Sequence, residues 1–220
     1  DQVIVNIDKF KSRPLDKQYS VIYLDATCIP IRRDIVAKEA IHIAVGVKMD
    51  GYKEILGYSI APTESCVIWD KLLKDLQSRG LEQVLLFVTD GLTGVENTIL
   101  NNFPKADIQR CIVHVAINIS FKVRVKDRSD ILGDFKEVYT APNKNEAIVK
   151  LNAFCAKWES IYPKVTTSLN QNEYLLTFYN YPEQIRSSIY TTNLIEGINK
   201  QIKRKTKRKE QFPSEGSLEK

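Results

Sequence analysis

The stretch YSVIYLDA, from Tyr19 to Ala26, decides the fold class, because its Val, Ile and Tyr residues favour an extended strand. Two further apolar runs follow at residues 37–48 and 52–61, and the pair Asp50-Gly51 between them is a strong hairpin signal. The three runs together predict an antiparallel meander at the start of the fold.

After the meander, the pattern changes to strands that alternate with helices. Helices are predicted over Cys66–Ser78 and 94–103, and strands over Gln83–Val88 and Ala106–Val113. The unbroken apolar run in Gln83–Val88 is typical of a strand that is buried on both faces. This order predicts an α/β protein with a five-stranded sheet of mixed strand pairing.

The segment from residue 115 to residue 187 is polar, contains no strand pattern and is predicted to be all-helical. A helix of the core type is then predicted from Asn193 onward. We therefore expect four parts: a lead-in at 1–18, a core made of 19–114 and 188–210, a helical insertion at 115–187, and a truncated extension at 211–220.

The net charge of +5 is concentrated at one end, because residues 200–220 hold eight Lys/Arg and three Asp/Glu. Such a cluster favours a polyanion partner, although a solvated tail would have the same composition. A hydrophobic share of 43% is ordinary for a soluble chain, and no apolar run is long enough to cross a membrane. We therefore expect a cytoplasmic protein without a membrane span. The four cysteines form no CxxC pair, which predicts free, buried thiols.

Three acidic residues are candidate metal ligands. Asp25 and Asp90 each follow a predicted strand, and ligand sites of open α/β sheets lie beyond the carboxyl ends of strands. Glu196 lies on the last helix and shares a face with Lys200, Lys203 and Lys207, opposite an apolar face of Leu194, Ile198 and Ile202. Carboxylates from separate segments can hold two Mg²⁺ ions, which act on phosphodiesters by in-line displacement.

Each of these carboxylates also has an ordinary structural interpretation. Asp25 could be a solvent-facing residue at a strand end, and Asp90 a turn residue or helix cap. Glu196 could form a capping box with Asn193 or an ion pair with Lys200.

Cys111 and His114 form a CxxH motif near the end of the fifth predicted strand. Structural zinc needs four ligands, and the only other histidine, His42, belongs to no second Cys/His cluster. A buried thiol beside a polar histidine fits the motif better, and His114 could also touch a phosphate or the carboxylates.

Four motifs in order resemble the Mutator-like family of bacterial insertion-sequence transposases, from about Arg13 to Leu218. They are YLDAT around Asp25, VTDGLTG around Asp90, QRCIVH around Cys111 and YTTNLIEGINKQIKRKT around Glu196. The resemblance implies a DDE transposase with a ribonuclease H-like core. In such an enzyme Asp25, Asp90 and Glu196 would bind two Mg²⁺ or Mn²⁺ ions, and the enzyme would cleave the DNA strand and join its freed 3′ hydroxyl to target DNA.

The resemblance also implies DNA as the partner and implies that this chain is a fragment of a longer protein. The basic stretch after Glu196 would grip the DNA backbone, and Cys111 and His114 are candidate accessory residues. The residues of that stretch are Lys200, Lys203, Arg204, Lys207 and Arg208. The expected partners are element ends and target DNA, with a homodimer in the active complex. Relatives carry an N-terminal DNA-binding region and continue past Lys220, so we expect this chain to be a fragment that holds the chemistry.

Two other functions stay open at this level. The first is a non-catalytic DNA-binding or assembly module that keeps the fold. The second is a ribonuclease H-like nuclease that acts on RNA–DNA hybrids, since both chemistries use similar carboxylates. The long helical insertion favours transposition over the nuclease.

Overall fold

A computed structural model of the chain describes residues 2–32, 36–191 and 193–206. The helices are α1 (Gln2–Ser12), α2 (Cys66–Ser78), α3 (Val95–Asn102), α4 (Ile112–Lys122), α5 (Arg128–Tyr139), α6 (Lys144–Trp158), α7 (Pro163–Asn170), α8 (Glu183–Ile189) and α9 (Asn193–Thr206). The strands are β1 (Gln18–Arg32), β2 (Val36–Lys48), β3 (Lys53–Ala61), β4 (Gln83–Thr89) and β5 (Asp107–Arg110).

The five strands form one sheet in the order β3-β2-β1-β4-β5. Strand β2 is antiparallel to both β1 and β3, whereas β1 and β4 are parallel. The predicted hairpin turn is present: Gly51 has a φ of 88°, and the Tyr52 N–H donates to Asp50 Oδ1 at 2.9 Å. The mixed five-stranded sheet predicted from the sequence is therefore confirmed.

The described chain divides into two compact units. One, here called the sheet unit, consists of the described residues of Asp1–Asp107 and Asn193–Lys220, and the other, the helical unit, consists of those of Ile108–Thr192. The division falls inside β5 and just before α9. The sequence predicts the two boundaries at 114/115 and 187/188, a few residues from where the structure divides.

In the sheet unit, helices cover both faces of the sheet. Helix α2 buries Trp69, Leu72, Leu73 and Leu76, which lie on one side of the helix. Gly57 of β3 lets α2 come close, since a Cβ at that position would lie 3.2 Å from Leu72 Cδ1. Helix α9 packs against β1. In this contact between α9 and β1, Asn199 donates a hydrogen bond to the buried Asp25.

In the helical unit, residues 111–191 are all described and form helices and turns without a strand. Its core is aromatic, with Phe135, Phe154, Trp158 and Phe178 all buried. Helix α6 begins with a capping pair, because Asn143 Oδ1 accepts from the Glu146 N–H at 3.0 Å while Asn143 Nδ2 donates to Glu146 Oε1. No helix in the described part of the chain is both long and apolar enough to cross a membrane.

Three sequence-based elements are corrected by the structure. The expected lead-in at 1–18 contains helix α1, in which Val3, Ile7 and Phe10 recur at helical spacing between polar residues. The expected strand Ala106–Val113 is only four residues long, because helix α4 already begins at Ile112. Within the stretch predicted to be all-helical, the sequence pattern also predicts a helix over Ser168–Tyr179, but the structure has α7, which ends at Asn170 and starts at Pro163, a residue that favours the first helical position.

Candidate active site on the central sheet

Asp25 lies in the middle of strand β1 and directly beside the end of β4. The last pair in the parallel ladder is Leu24 with Thr89, so Asp25 and Asp90 occupy the next position on each chain. Neighbouring strands lie about 4.8 Å apart, so these two residues stand side by side at the same level of the sheet. The register thus brings together the two aspartates that were predicted from separate motifs.

The solvent-facing interpretation of Asp25 is wrong, because its exposed fraction is 4%. Strand β1 also continues to Arg32, so Asp25 is not at the end of its own strand. Asp25 Oδ1 accepts a hydrogen bond from the Ala26 N–H at 2.9 Å, and Oδ2 accepts one from Asn199 Nδ2 at 2.7 Å. A buried carboxylate with directed donors on both oxygens is held in one orientation.

Asp90 is half-buried and opens the turn that follows β4. Its Oδ1 accepts from the Leu92 N–H at 3.2 Å and from Thr89 Oγ1 at 3.3 Å. Gly91 has a φ of 87°, a left-handed conformation that favours glycine. The turn interpretation is therefore correct, but the cap interpretation is not, since Gly94 is the N-cap of α3.

Helix α9 brings the third candidate, Glu196, to the sheet unit. Its most buried described positions are Ile195, which is fully buried, and Asn199, with an exposed fraction of 7%. The buried face is therefore rotated from the predicted one, because Ile198 and Ile202 are only half-buried and the Leu194 side chain lies outside the described residues. Glu196 lies one turn before Asn199, beside the residue that bonds Asp25.

The carboxylate of Glu196 is directed toward a surface cation in this structure. Its Oε2 lies 4.0 Å from Lys200 Nζ, and the two side chains are 24% and 80% exposed. The predicted ion pair is therefore present, but at this length and exposure it contributes little. The alternative capping box rests on the Asn193 side chain, which lies outside the described residues.

The oxygen atoms around Asp25 fit a hard cation in their chemistry. Asn199 Oδ1 is buried and has no hydrogen-bond partner among the described residues. Buried carbonyl and carboxylate oxygens are the donors that Mg²⁺ prefers. However, the described residues contain no group of three or more His, Cys, Asp or Glu side chains close enough together to hold a metal ion. The oxygen atoms around Asp25 are thus suitable ligands for a metal, but the carboxylate of Glu196 does not join them in this structure.

Asn199 is the site residue that sequence reasoning missed. It lies three positions after Glu196 within the motif around that residue, on a helix whose following residues are mostly basic. The available sequence signal is its place inside the motif YTTNLIEGINKQIKRKT, since helical periodicity counts an asparagine as polar.

His42 is a second buried polar group of the sheet unit. It lies on β2 opposite Ala26, with its ring at 4.9 Å from the ring of Trp69. Burial lowers the pKa of His42, and the carbonyls of Ser59 and Ala40 and the charge of Asp90 act against this shift without reversing it. Neither ring nitrogen makes a hydrogen bond of regular geometry within the described chain. His42 is therefore a neutral core residue at neutral pH.

Cys111 and His114 belong to the helical unit. Cys111 is the fully buried N-cap residue of α4, and His114 is half-buried one turn later. The motif around Glu196 begins close to them, because the Ile112 N–H donates to the Tyr190 carbonyl at 2.8 Å. All four cysteines are free as predicted, but Cys28 is exposed and Cys66 half-buried.

The described basic residues of α9 are accessible. Lys200, Lys203 and Arg204 are all exposed. Lys207 and Arg208, the other two predicted DNA-binding residues, lie outside the described residues. The described part of α9 therefore carries a basic surface directly beside Glu196.

The chain belongs to the Mutator family of transposases, whose family model matches residues 1–220. It is similar to the transposase for insertion sequence element IS1201 of Lactobacillus helveticus, with 47% identity over 219 residues, covering 99% of this chain and 59% of that protein. It is also similar to the transposase for insertion sequence element IS905 of Lactococcus lactis subsp. lactis, with 48% identity over 214 residues, covering 97% of this chain and 55% of that protein. The chain thus spans just over half the length of these relatives.

A solved structure supports the fold. A chain of the Drosophila P element transposase strand transfer complex matches with a TM-score of 0.51 at 10% identity, covering 98% of this chain and 78% of that one. The mixed sheet with its helices is a ribonuclease H-like α/β fold, as the family resemblance implied.

Proposed function

We propose that this chain is the catalytic part of a DNA transposase, with Asp25, Asp90 and Glu196 as its active-site carboxylates. The observation that carries the proposal is the register of the sheet. It pairs Leu24 with Thr89, the residues just before Asp25 and Asp90, and Asn199 donates to Asp25 from the helix that bears Glu196. Membership of the Mutator family supports the same assignment.

Two reactions would follow at this site. In the first, water attacks a phosphorus atom at the end of the element, the P–O3′ bond breaks, and a 3′ hydroxyl is released. In the second, that hydroxyl attacks a phosphodiester of target DNA, and the 3′ oxygen of the target leaves. Two Mg²⁺ or Mn²⁺ ions bound by the three carboxylates would activate the attacking hydroxyl and offset charge on the leaving oxygen.

The protein's own contribution is orientation. Asp25 is aimed by the amide of Asn199 and the N–H of Ala26, and Asp90 by the N–H of Leu92. Groups that are fixed before the reaction need no reorganisation when charge develops at phosphorus.

Glu196 would have to turn away from Lys200 to join the two aspartates. Because Lys200 is 80% exposed and the pair is 4.0 Å long, breaking this contact costs little. Lys200 is then released to face a phosphate. The proposal therefore includes a rotation of the Glu196 side chain without any movement of α9.

The DNA partner would be held by the basic surface of α9. Lys200, Lys203 and Arg204 are exposed on the helix that carries Glu196, and contacts from such cations to phosphate oxygens position DNA without reading its sequence. We further propose that two copies act together on the two element ends, in the cytoplasm of a bacterium.

The experiment that tests the proposal uses the complete protein with labelled element-end DNA. Mg²⁺ should support nicking and joining of duplex DNA, and EDTA should abolish both. A non-catalytic module would bind this DNA without cutting it in Mg²⁺ or Mn²⁺. A ribonuclease H-like nuclease would cut an RNA–DNA hybrid of the same sequence and leave the duplex intact. Asp25→Asn and Asp90→Asn should each remove nicking while DNA binding persists.

A further inference from the structure

The helical unit exposes three large apolar side chains where helix α4 ends. Ile117 and Phe121 lie one turn apart on α4, and Val125 follows just past its end, with exposed fractions of 41%, 78% and 75%. Single exposed apolar residues are common, but a phenylalanine that is 78% exposed at a helix end, with two more exposed apolar side chains close in sequence, gives a partner an aromatic face to cover.

Three cations alternate with apolar residues in the sequence FKVRVKD, residues 121–127. Lys122, Arg124 and Lys126 are exposed, and none of the ion pairs formed among the described residues involves them. Val123 and Arg124 have extended backbone, so Val123 turns into the core while its two basic neighbours point outward.

Tyr162 of the same unit holds this segment by two hydrogen bonds. The Tyr162 hydroxyl accepts the Arg124 N–H at 3.2 Å and donates to the carboxylate of Asp127. Asp127 keeps its negative charge, but its carboxylate is directed at Tyr162, and the segment carries three cations against this one carboxylate. These two hydrogen bonds fix the backbone of the segment, so less conformational entropy is lost when a ligand binds.

We propose that residues 117–126 of the helical unit form a second DNA-binding surface, with Phe121 stacking on an unpaired base and Lys122, Arg124 and Lys126 contacting the adjoining phosphates. Nucleic acid combines negative charge with flat aromatic faces, and both are matched here. An aromatic side chain within a basic surface is the arrangement by which proteins hold single strands. The inference requires that the chain binds DNA, but it does not require that Asp25, Asp90 and Glu196 cleave it.

The test measures the binding of the 220-residue chain to a labelled single strand of about 20 nucleotides and to the matching duplex, by fluorescence anisotropy. Phe121→Ala should weaken single-strand binding about 5- to 100-fold, which is the loss expected for one stacked base, and should affect the duplex less. Phe121→Trp should retain binding, and its added fluorescence should be quenched by the oligonucleotide. Val149→Ala is the control, because Val149 is 66% exposed elsewhere in the same unit.

The charges are tested separately. Lys122→Gln with Lys126→Gln should flatten the slope of log affinity against log salt by about one to two. The matched pair Lys136→Gln with Lys164→Gln, also exposed in the helical unit, should leave the slope unchanged.

Two results would overturn the proposal. The first is that Phe121→Ala binds a single strand as well as Val149→Ala does. The second is that Phe121→Ala leaves DNA binding intact but disrupts self-association in sedimentation, which would make the patch a protein interface. Binding is measured in EDTA, where no cleavage can occur, so a failure of the catalytic proposal is distinguishable from a failure of this one.

Discussion

The side-chain amide of Asn199 donates a hydrogen bond of 2.7 Å to Oδ2 of Asp25, joining residues 174 positions apart in the sequence. Both residues are buried, and Asn199 Oδ1 is left without a hydrogen-bond partner among the described residues. This contact joins the last helix to the central strand of the sheet. It also makes Asn199 a positioning residue in the proposed site, because its amide fixes the carboxylate it bonds.

Replacing Asn199 by alanine should slow DNA cleavage by the complete protein about 10- to 100-fold, as expected for a lost hydrogen bond to a charged group. The loss should appear in kcat and leave KM for DNA nearly unchanged, because Asn199 orients a carboxylate and does not grip the substrate. Gly197→Ala is the control on the same helix, since a Cβ at that position meets no atom within 4 Å. Equal cleavage by the two variants would remove Asn199 from the site.

The exposed cations of α9 should determine the salt dependence of duplex binding. Lys203→Gln with Arg204→Gln should weaken binding about equally for all DNA sequences and flatten the salt slope by about one to two. The exposed pair Lys71→Gln with Lys105→Gln, elsewhere in the sheet unit, should change neither. A shift in sequence preference with an unchanged slope would mean that this face reads bases.

His42 should make the stability of the fold depend on pH. Burial holds its pKa below the ordinary value of 6.5, so the unfolded chain binds a proton that the folded chain does not. The free energy of unfolding should therefore be at its full value above pH 6.5 and should fall as the pH drops through the lowered pKa. Urea titrations of wild type and His42→Gln across this range measure the difference, and parallel curves would contradict it.

Gln109 should be the most costly glutamine to remove from the helical unit. Its exposed fraction is 0%, its Nε2 donates to the Leu175 carbonyl at 3.0 Å, and its Oε1 accepts from the Phe178 N–H at 2.7 Å. Gln109→Leu leaves these buried groups unpaired and should cost about 3 kcal/mol of unfolding free energy. The exposed Gln83→Leu should stay within about 0.5 kcal/mol, measured by the same denaturant titration. Similar losses of unfolding free energy in both variants would show that the buried hydrogen bonds of Gln109 do not stabilise the fold more than exposed ones.

The elements that the sequence predicted well are those whose signals are local. The turn at Asp50-Gly51 requires a positive φ at glycine, and helix α2 matches the predicted bounds Cys66–Ser78 because its apolar spacing and the following Gly80 are both visible in the sequence. The two aspartates were recognised for the same reason, since each lies in a short motif next to a predicted strand.

The features that the sequence did not predict depend on distant partners. The buried face of α9 is set by its contact with β1, which turns Asn199 inward in place of Ile198. Helical periodicity alone could not find this, because an asparagine counts as polar until its partner Asp25 is known. The length of β1 beyond Ala26 is likewise set by its ladder with β2, which continues to the pair Arg32 and Val36.

The central claim is that Glu196 completes an active site with Asp25 and Asp90, and Glu196→Gln in the complete protein tests it most directly. The measurement is Mg²⁺-dependent nicking of element-end DNA, with DNA affinity and melting temperature recorded alongside and the exposed Glu82→Gln as the matched control. We predict that Glu196→Gln loses nicking by about a thousandfold or more while binding and melting stay near those of the control. Near-normal nicking with a slightly lowered melting temperature would show that Glu196 only stabilises α9.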